Sequence, residues 1–135
     1  MKQFTSEKQK IGEIGENIAC KFLMKQGYSI LERNFTKKCG EIDIVARKGS
    51  ELHFVEVKSV SGETIGEVSR GTDDEYRPED NMHPWKLRRI SKTIQMYLLE
   101  KNVDENIEWK FDVACVYLGL KDKKARVKMM ENIIL

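Results

Sequence analysis

No apolar stretch in this 135-residue chain approaches the roughly 20 residues that a membrane-crossing helix needs. The opening residues, Met1-Lys2-Gln3-Phe4-Thr5-Ser6-Glu7, lack the apolar core of a secretion signal. Cysteine is scarce. Cys20, Cys39 and Cys115 are odd in number and widely spaced, with no Cys-x-x-Cys and no Cys/His cluster, which argues against structural zinc and against a disulfide framework. Internal repeats are absent, and so is any linker that would mark a second domain. These absences lead to the expectation of one domain over residues 1–135 in a reducing, cytoplasmic setting, with no membrane partner and no small-molecule cofactor.

A large net charge is also missing, but the total of +2 conceals a division. Residues 60–82 carry seven carboxylates against Arg70 and Arg77, a net −5 that leaves +7 on the rest of the chain. The positive charge is gathered in two places: Lys86, Arg88, Arg89 and Lys92, then Lys121, Lys123, Lys124, Arg126 and Lys128. Clustered basic side chains suit a phosphate backbone, and they equally suit a solvated helix face or a lysine-rich loop.

Residues 6–26 read as a helix. Ile11, Ile14, Ile18 and Phe22 recur at helical spacing, Ser6 is placed to cap the start and Gly27 to stop the end. Residues 28–35, 40–47 and 51–58 read as three strands, the last two joined across Lys48-Gly49-Ser50. The stretch from Val60 to Pro84 shows no period and reads as a long acidic loop, an insertion at about 60–84. Residues 85–101 return to helix, Trp109–Leu118 to a buried strand, and Arg126–Ile134 suits a last strand. The order calls for an α/β fold: a mixed central sheet in α-β-β-β-α-β order, flanked by helices, with strand 109–118 parallel to its partner across the helical crossover.

Two of the strand-like runs carry chemistry. Strand side chains alternate between faces, so Glu56 and Lys58 share a face with Leu52 and Phe54 in the run Leu52–Ser59. An ordinary solvated face does not carry those apolar neighbours. Asp43 sits in the paired run, so two carboxylates and an ammonium converge if the hairpin forms. Magnesium takes oxygen ligands and keeps several waters, so one or two carboxylates suffice to hold it. Asp43, Glu56 and the Val57 carbonyl are the candidate ligands, and Lys58 is the group that would orient water or stabilise the transition state. The competing reading of these residues is a cross-strand ion-pair network. Glu16, at the flank of the first helix's stripe, is the next candidate. Gly12 and Gly15 before it cost about 1 kcal/mol each inside a helix, which suits a close approach to the backbone or a frayed first turn. His53 faces away from Glu56 and reads as packing.

The ordered series Gly12-x-x-Gly15-Glu16-x-x-Ala19, Gly27-Tyr28, Glu32-Arg33-Asn34, Gly40-Glu41-Ile42-Asp43 and Phe54-Val55-Glu56-Val57-Lys58 resembles the YraN family of small bacterial proteins. The likeness runs from about residue 12 to 101 and continues more loosely through Phe111-Asp112. That family is assigned to the restriction-endonuclease-like PD-(D/E)xK superfamily and is similar to archaeal Holliday junction resolvases. The resemblance implies a restriction-endonuclease-like core and a nuclease site using Mg2+ (or Mn2+). It places Asp43 and Glu56 at the metal, Lys58 in catalysis, Glu16 as an accessory group and Lys86 at a phosphate. It also implies DNA, branched DNA included, as partner, and a homodimer that cuts both strands. Where family members continue with a short basic Lys-Thr-Arg, this chain has Lys58-Ser59-Val60 followed by the acidic stretch. A non-catalytic module that binds nucleic acid or protein on the same fold is the alternative.

Overall fold

In the computed structural model, which describes residues 6–68 and 83–135, the chain forms a five-stranded mixed sheet flanked by helices. Helix α1 spans Glu7–Lys25, and the Ser6 side chain accepts from the Gln9 N–H as its cap. Gly27, at φ +94°, takes the left-handed turn that ends it. Strands β1 (Ser29–Lys37), β2 (Gly40–Lys48) and β3 (Glu51–Gly62) form an antiparallel meander. A short helix, α2 (Ile65–Val68), follows β3. Helix α3 (Pro84–Glu100), with Pro84 in its first turn, carries the chain to β4 (Trp109–Gly119), which pairs parallel to β3. Strand β5 (Lys124–Met130) returns antiparallel to β4, giving the order β1-β2-β3-β4-β5.

Among the described residues, α1 covers one face of the sheet, and α3, with Val68 of α2, covers the other. Ala19, Cys20 and Leu23 of α1 pack on Ile44, Ala46, Val55, Ala114 and Val116. Ile90, Ile94 and Tyr97 of α3 pack on Val45, Phe54, Phe111 and Val113. Burying a side chain of this size contributes about 1.5–3 kcal/mol, so the period-two alternation of β2 and β3 holds both helices in place.

Two sequence expectations change. The long loop expected from Val60 is shorter, because β3 continues to Gly62 and α2 forms at Ile65–Val68. The polar tail Ser59–Gly62 has little strand pattern of its own. It is held by β4, with Ser59 opposite Val116 and Gly62 opposite Gly119, and tertiary pairing overrides local preference. The remainder of the acidic stretch, 69–82, lies outside the described residues. The last strand starts earlier and ends sooner than expected, at Met130: Asn132 turns at φ 54° and gives its N–H to the buried Asp112.

Candidate metal centre

The site begins where the sheet divides. The antiparallel ladder between β2 and β3 ends at Ile44 opposite Val55. Beyond that pair β2 stays with β1 as far as Gly40, and β3 stays with β4 as far as Gly62. The Val57 N–H, lacking a β2 carbonyl, donates to Asp43 Oδ2 at 2.8 Å. A strand residue directs its N–H and C=O to the same side, so the Val57 carbonyl also leaves β3 towards the gap.

The gap opens into two cavities that share Glu41 and Asp43. One, of about 320 Å³, lies towards α1 and is lined also by Gly12, Glu16, Arg33, Asn34 and Val57. The other, of about 370 Å³, lies towards α3 and is lined also by Gly40, Glu56, Trp85, Lys86 and Arg89. Asp43 therefore stands between the two sides of the sheet.

Burial pushes the Asp43 carboxyl from its ordinary 3.8 up to about 7. The Val57 N–H opposes that rise, and the carboxylates of Glu56, Glu16 and Glu41 add to it. Glu56 has one oxygen, Oε1, 3.2 Å from Lys86 Nζ. Its other oxygen, Oε2, is buried and has no hydrogen-bond partner among the described residues. Lys58 adjoins Lys86 and Glu56. Burial lowers its pKa, and the adjoining Lys86 lowers it further, against the pull of Glu56 and Asp43. Burial alone would lower Lys86 too, but its hydrogen bond to Lys58 and the Glu56 carboxylate hold it up.

Glu16 is fixed rather than free. Its Oε1 accepts from Arg33 Nε at 3.0 Å, Arg33 Nη2 at 2.9 Å and Asn34 Nδ2 at 3.1 Å. Asn34 reaches it from a left-handed backbone conformation, φ 54°, which asparagine tolerates better than most residues. Glu32-Arg33-Asn34 thus has a structural role that its pattern alone did not disclose: Arg33 and Asn34 aim Glu16 at the cleft, and Glu32 pairs with Lys101 at 3.2 Å. Gly15 admits the close approach expected of it, because a Cβ there would lie 1.9 Å from Ser59 Oγ on β3. Gly12 meets nothing within 4 Å and opens on the cavity. The helix begins at Glu7, so the frayed first turn is not what these glycines signify.

Helix α3 divides the basic cluster. Lys86 and Arg89 line the cleft, and the Arg89 Nε donates to the Cys39 carbonyl at 2.9 Å. Arg88 and Lys92, one turn apart, are exposed and line neither cavity. Trp85, to which the sequence pattern assigned nothing, also lines the α3 side. His53 packs away from the site, as expected, with its ring edge-on to Tyr28 and its nitrogens 2.7 Å from Asp112 Oδ2 and 2.8 Å from Glu51 Oε1.

Among the described residues no three His, Cys, Asp or Glu side chains form a ready-made metal cage. The donor set is smaller: the Asp43 and Glu56 carboxylates, with the Val57 carbonyl directed to the same gap. That suits a hard cation which keeps its waters, and does not suit zinc. Glu56 Oε2 is left without a hydrogen-bond partner although Lys86 pairs with Oε1, and the Asp43 carboxyl is raised first by burial and then by the neighbouring carboxylates.

A family model described as "Uncharacterised protein family UPF0102" matches residues 15–116, which take in Glu16, Asp43, Glu56, Lys58 and Lys86. The chain belongs to the UPF0102 family. It is similar to a UPF0102 protein of Campylobacter fetus, 41% identical over 121 residues and 88% of each chain. A Campylobacter jejuni UPF0102 protein is 38% identical over 122 residues, 90% of this chain and 91% of that one. A Clostridium botulinum UPF0102 protein is 34% identical over the same shares. The motifs of this UPF0102 chain from Gly15-Glu16 to Phe54-Val55-Glu56-Val57-Lys58 lie within the residues that the family model matches. No helix among its described residues is long and apolar enough to cross a membrane.

Proposed function

We propose that this UPF0102 protein is a metal-dependent nuclease with a restriction-endonuclease-like core, hydrolysing DNA phosphodiester bonds with branched DNA among its substrates. The observation that carries the reading is the buried, unpartnered Glu56 Oε2 beside a carboxyl raised to about 7, both at the mouth of the split between β2 and β3. Asp43, Glu56 and the Val57 carbonyl would hold Mg2+ or Mn2+. When bound, such a cation supplies Lewis-acid stabilisation of the charge that develops on the phosphoryl oxygens. Lys58, half-buried beside Lys86 and Glu56, would orient the attacking water or donate to the pentavalent transition state, where a preorganised charge acts most strongly. Glu16, locked by Arg33 and Asn34, is a positioning group at the opposite mouth. Lys86 and Arg89 would take the phosphate backbone on the α3 side, and exposed Arg88 and Lys92 would extend that contact along the helix. A homodimer would let two such sites cut two strands, in a cytoplasmic setting.

A second reading, a module on the same fold that binds nucleic acid or protein without cutting, has one observation in its favour. Lys86 Nζ, 3.2 Å from Glu56, already supplies a cation to that carboxylate. Incubation with Mg2+ or Mn2+ and branched, single-stranded or duplex DNA separates the two. The nuclease reading expects cleavage that Lys58→Ala and Asp43→Asn abolish, and Mg2+ binding by calorimetry that Asp43→Asn weakens. Intact DNA from wild type and Lys58→Ala alike, with no heat on adding Mg2+, overturns the nuclease reading and favours the binding module.

A further inference from the structure

Trp85 is out of place for a structural tryptophan. The apolar stripe of α3 buries Ile90, Ile94 and Tyr97, with Leu87 and Leu98 packed partly against them, and Trp85 is not part of it. Its ring is 48% exposed. It sits in the first turn of the helix and lines the same cavity as Asp43, Glu56, Lys86 and Arg89. The cavity, about 370 Å³, is within the size range of small-ligand sites.

The surroundings of the ring are built rather than incidental. The Arg89 guanidinium carbon lies 5.8 Å from the indole centroid, and Arg89 is itself held by the Cys39 carbonyl. The His83 ring approaches from the other neighbour position, 5.9 Å between centroids and tilted by 44°. Gly40 lets β2 begin directly against α3 here, because a Cβ at that position would lie 2.9 Å from Thr93 Oγ1. The wall of the cleft therefore presents an aromatic face beside basic side chains, within the same cavity as the two carboxylates. Lysine and arginine alone would serve a phosphate backbone. An open aromatic face adds recognition of a base, because every base offers a π-face, and a base inside a duplex stack does not offer it.

We propose that Trp85 is a stacking platform for an unpaired nucleobase, so that the ligand of this cleft is nucleic acid with single-stranded or extruded nucleotides. The proposal rests on the nuclease reading for the placement of the phosphate at Asp43 and Glu56, and on Trp85, Arg89 and the cavity for the base.

The test is binding, measured apart from cleavage. Anisotropy of a fluorescently labelled oligothymidylate is followed in EDTA with wild type, Trp85→Ala and Trp85→Phe, beside a blunt duplex of equal length. Circular dichroism checks that each variant is folded. Stacking on an aromatic predicts that Trp85→Ala binds the single strand about 5- to 100-fold more weakly, that Trp85→Phe recovers most of the loss, and that the duplex distinguishes the three proteins little. Equal binding of the single strand by wild type and folded Trp85→Ala overturns the proposal. So does a failure to bind the single strand both in EDTA and, in a Lys58→Ala background that blocks cleavage, with Mg2+, in which case the exposed ring is free for a protein partner instead. The outcome is independent of the parent reading. Trp85-dependent binding with no metal-dependent cleavage would retain the platform and dismiss the nuclease. Cleavage that is lost in Lys58→Ala and unaffected by Trp85→Ala, with unchanged single-strand binding, would do the reverse.

Discussion

Replacing Asp43 by asparagine should separate the electrostatic cost of the site from its hydrogen bonding. The amide keeps an oxygen to accept from the Val57 N–H, which lies 2.8 Å from Oδ2, and removes the charge. In the unfolded chain this carboxyl titrates near 3.8, whereas burial and its carboxylate neighbours raise it to about 7 in the folded one. The folded state therefore holds the proton more tightly. Its stabilising contribution is complete below about pH 4 and is lost as the pH rises through about 7. Each pKa unit corresponds to 1.36 kcal/mol, so the loss approaches about 4 kcal/mol in full, of which about 2.5 kcal/mol falls between pH 5 and pH 8. Asp43→Asn has no such loss, and the other titrating groups are common to both proteins. Urea unfolding in EDTA should therefore show the stability gap moving in the variant's favour by about 2.5 kcal/mol from pH 5 to pH 8. Adding Mg2+ at pH 8 should stabilise wild type alone and narrow that gap. A gap constant to about 0.5 kcal/mol across the range would refute the claim that Asp43 is raised by burial. A gap that widens in EDTA but ignores Mg2+ would keep the burial argument and remove the cation.

Two further substitutions test the frame around the site. Gly15→Ala would drive a Cβ to within 1.9 Å of Ser59 Oγ, and the loss of stability should be about 1–3 kcal/mol by urea unfolding, partly recovered in a double variant with Ser59→Ala; additive losses would show that the two residues do not meet as described. His53→Phe would leave the fully buried Asp112 with the Asn132 N–H but without its ring partner. A loss of about 1–3 kcal/mol is expected from the unsatisfied buried oxygen, with the Mg2+ response at Asp43 unchanged, and a loss below about 0.5 kcal/mol would mean that the His53 hydrogen bond is not what satisfies Asp112 Oδ2.

The residues that make the hairpin were legible because their physics is local. Lys48-Gly49-Ser50 fixes the register of β2 against β3, and once that register is known Asp43 and Glu56 must arrive at the same end of the pair. The helix over 6–26 and the turn at Gly27 are equally local, but the face the helix buries is Gly15, Ala19, Cys20 and Leu23, to one side of the Ile11-Ile14-Ile18-Phe22 stripe, and Ile14 is left 46% exposed. What the sequence does not carry is the partner of a long-range contact. Ser59-Val60-Ser61-Gly62 has no pattern of its own, and becomes strand because β4, some fifty residues later, lies beside it. Arg33 and Asn34 were visible as a motif, but their target, Glu16, lies across a helix–sheet interface that no spacing predicts. Lys86 reads as a phosphate contact from the family resemblance, and its pairing with Glu56 at 3.2 Å is a long-range contact that no spacing predicts. Trp85 carried no signal beyond being a large residue at a helix start.

The costs in this fold collect at one place. A sheet that only had to be stable would continue the β2–β3 ladder past Ile44 and Val55. Instead the strands part, and the Val57 N–H is satisfied by a carboxyl that burial penalises. One step along β3, the buried Glu56 Oε2 goes without a partner, although Lys86 lines the same cavity and Lys58 adjoins it. Two glycines, Gly15 and Gly40, stand where side chains would close the packing from either helix. Each departure alone has a cost of order 1–3 kcal/mol. Against a net stability of order 5–15 kcal/mol several such costs at one gap are a large share, and under the proposed function a bound cation would offset part of them. Neither the surface ion pairs elsewhere on the sheet nor the satisfied network of Glu51, His53 and Asp112 shows this pattern. The departures converge on the gap between Asp43 and Glu56, and a divalent cation that releases Lys86 to a phosphate would relieve the excess negative charge there and the crowding of the two lysines together.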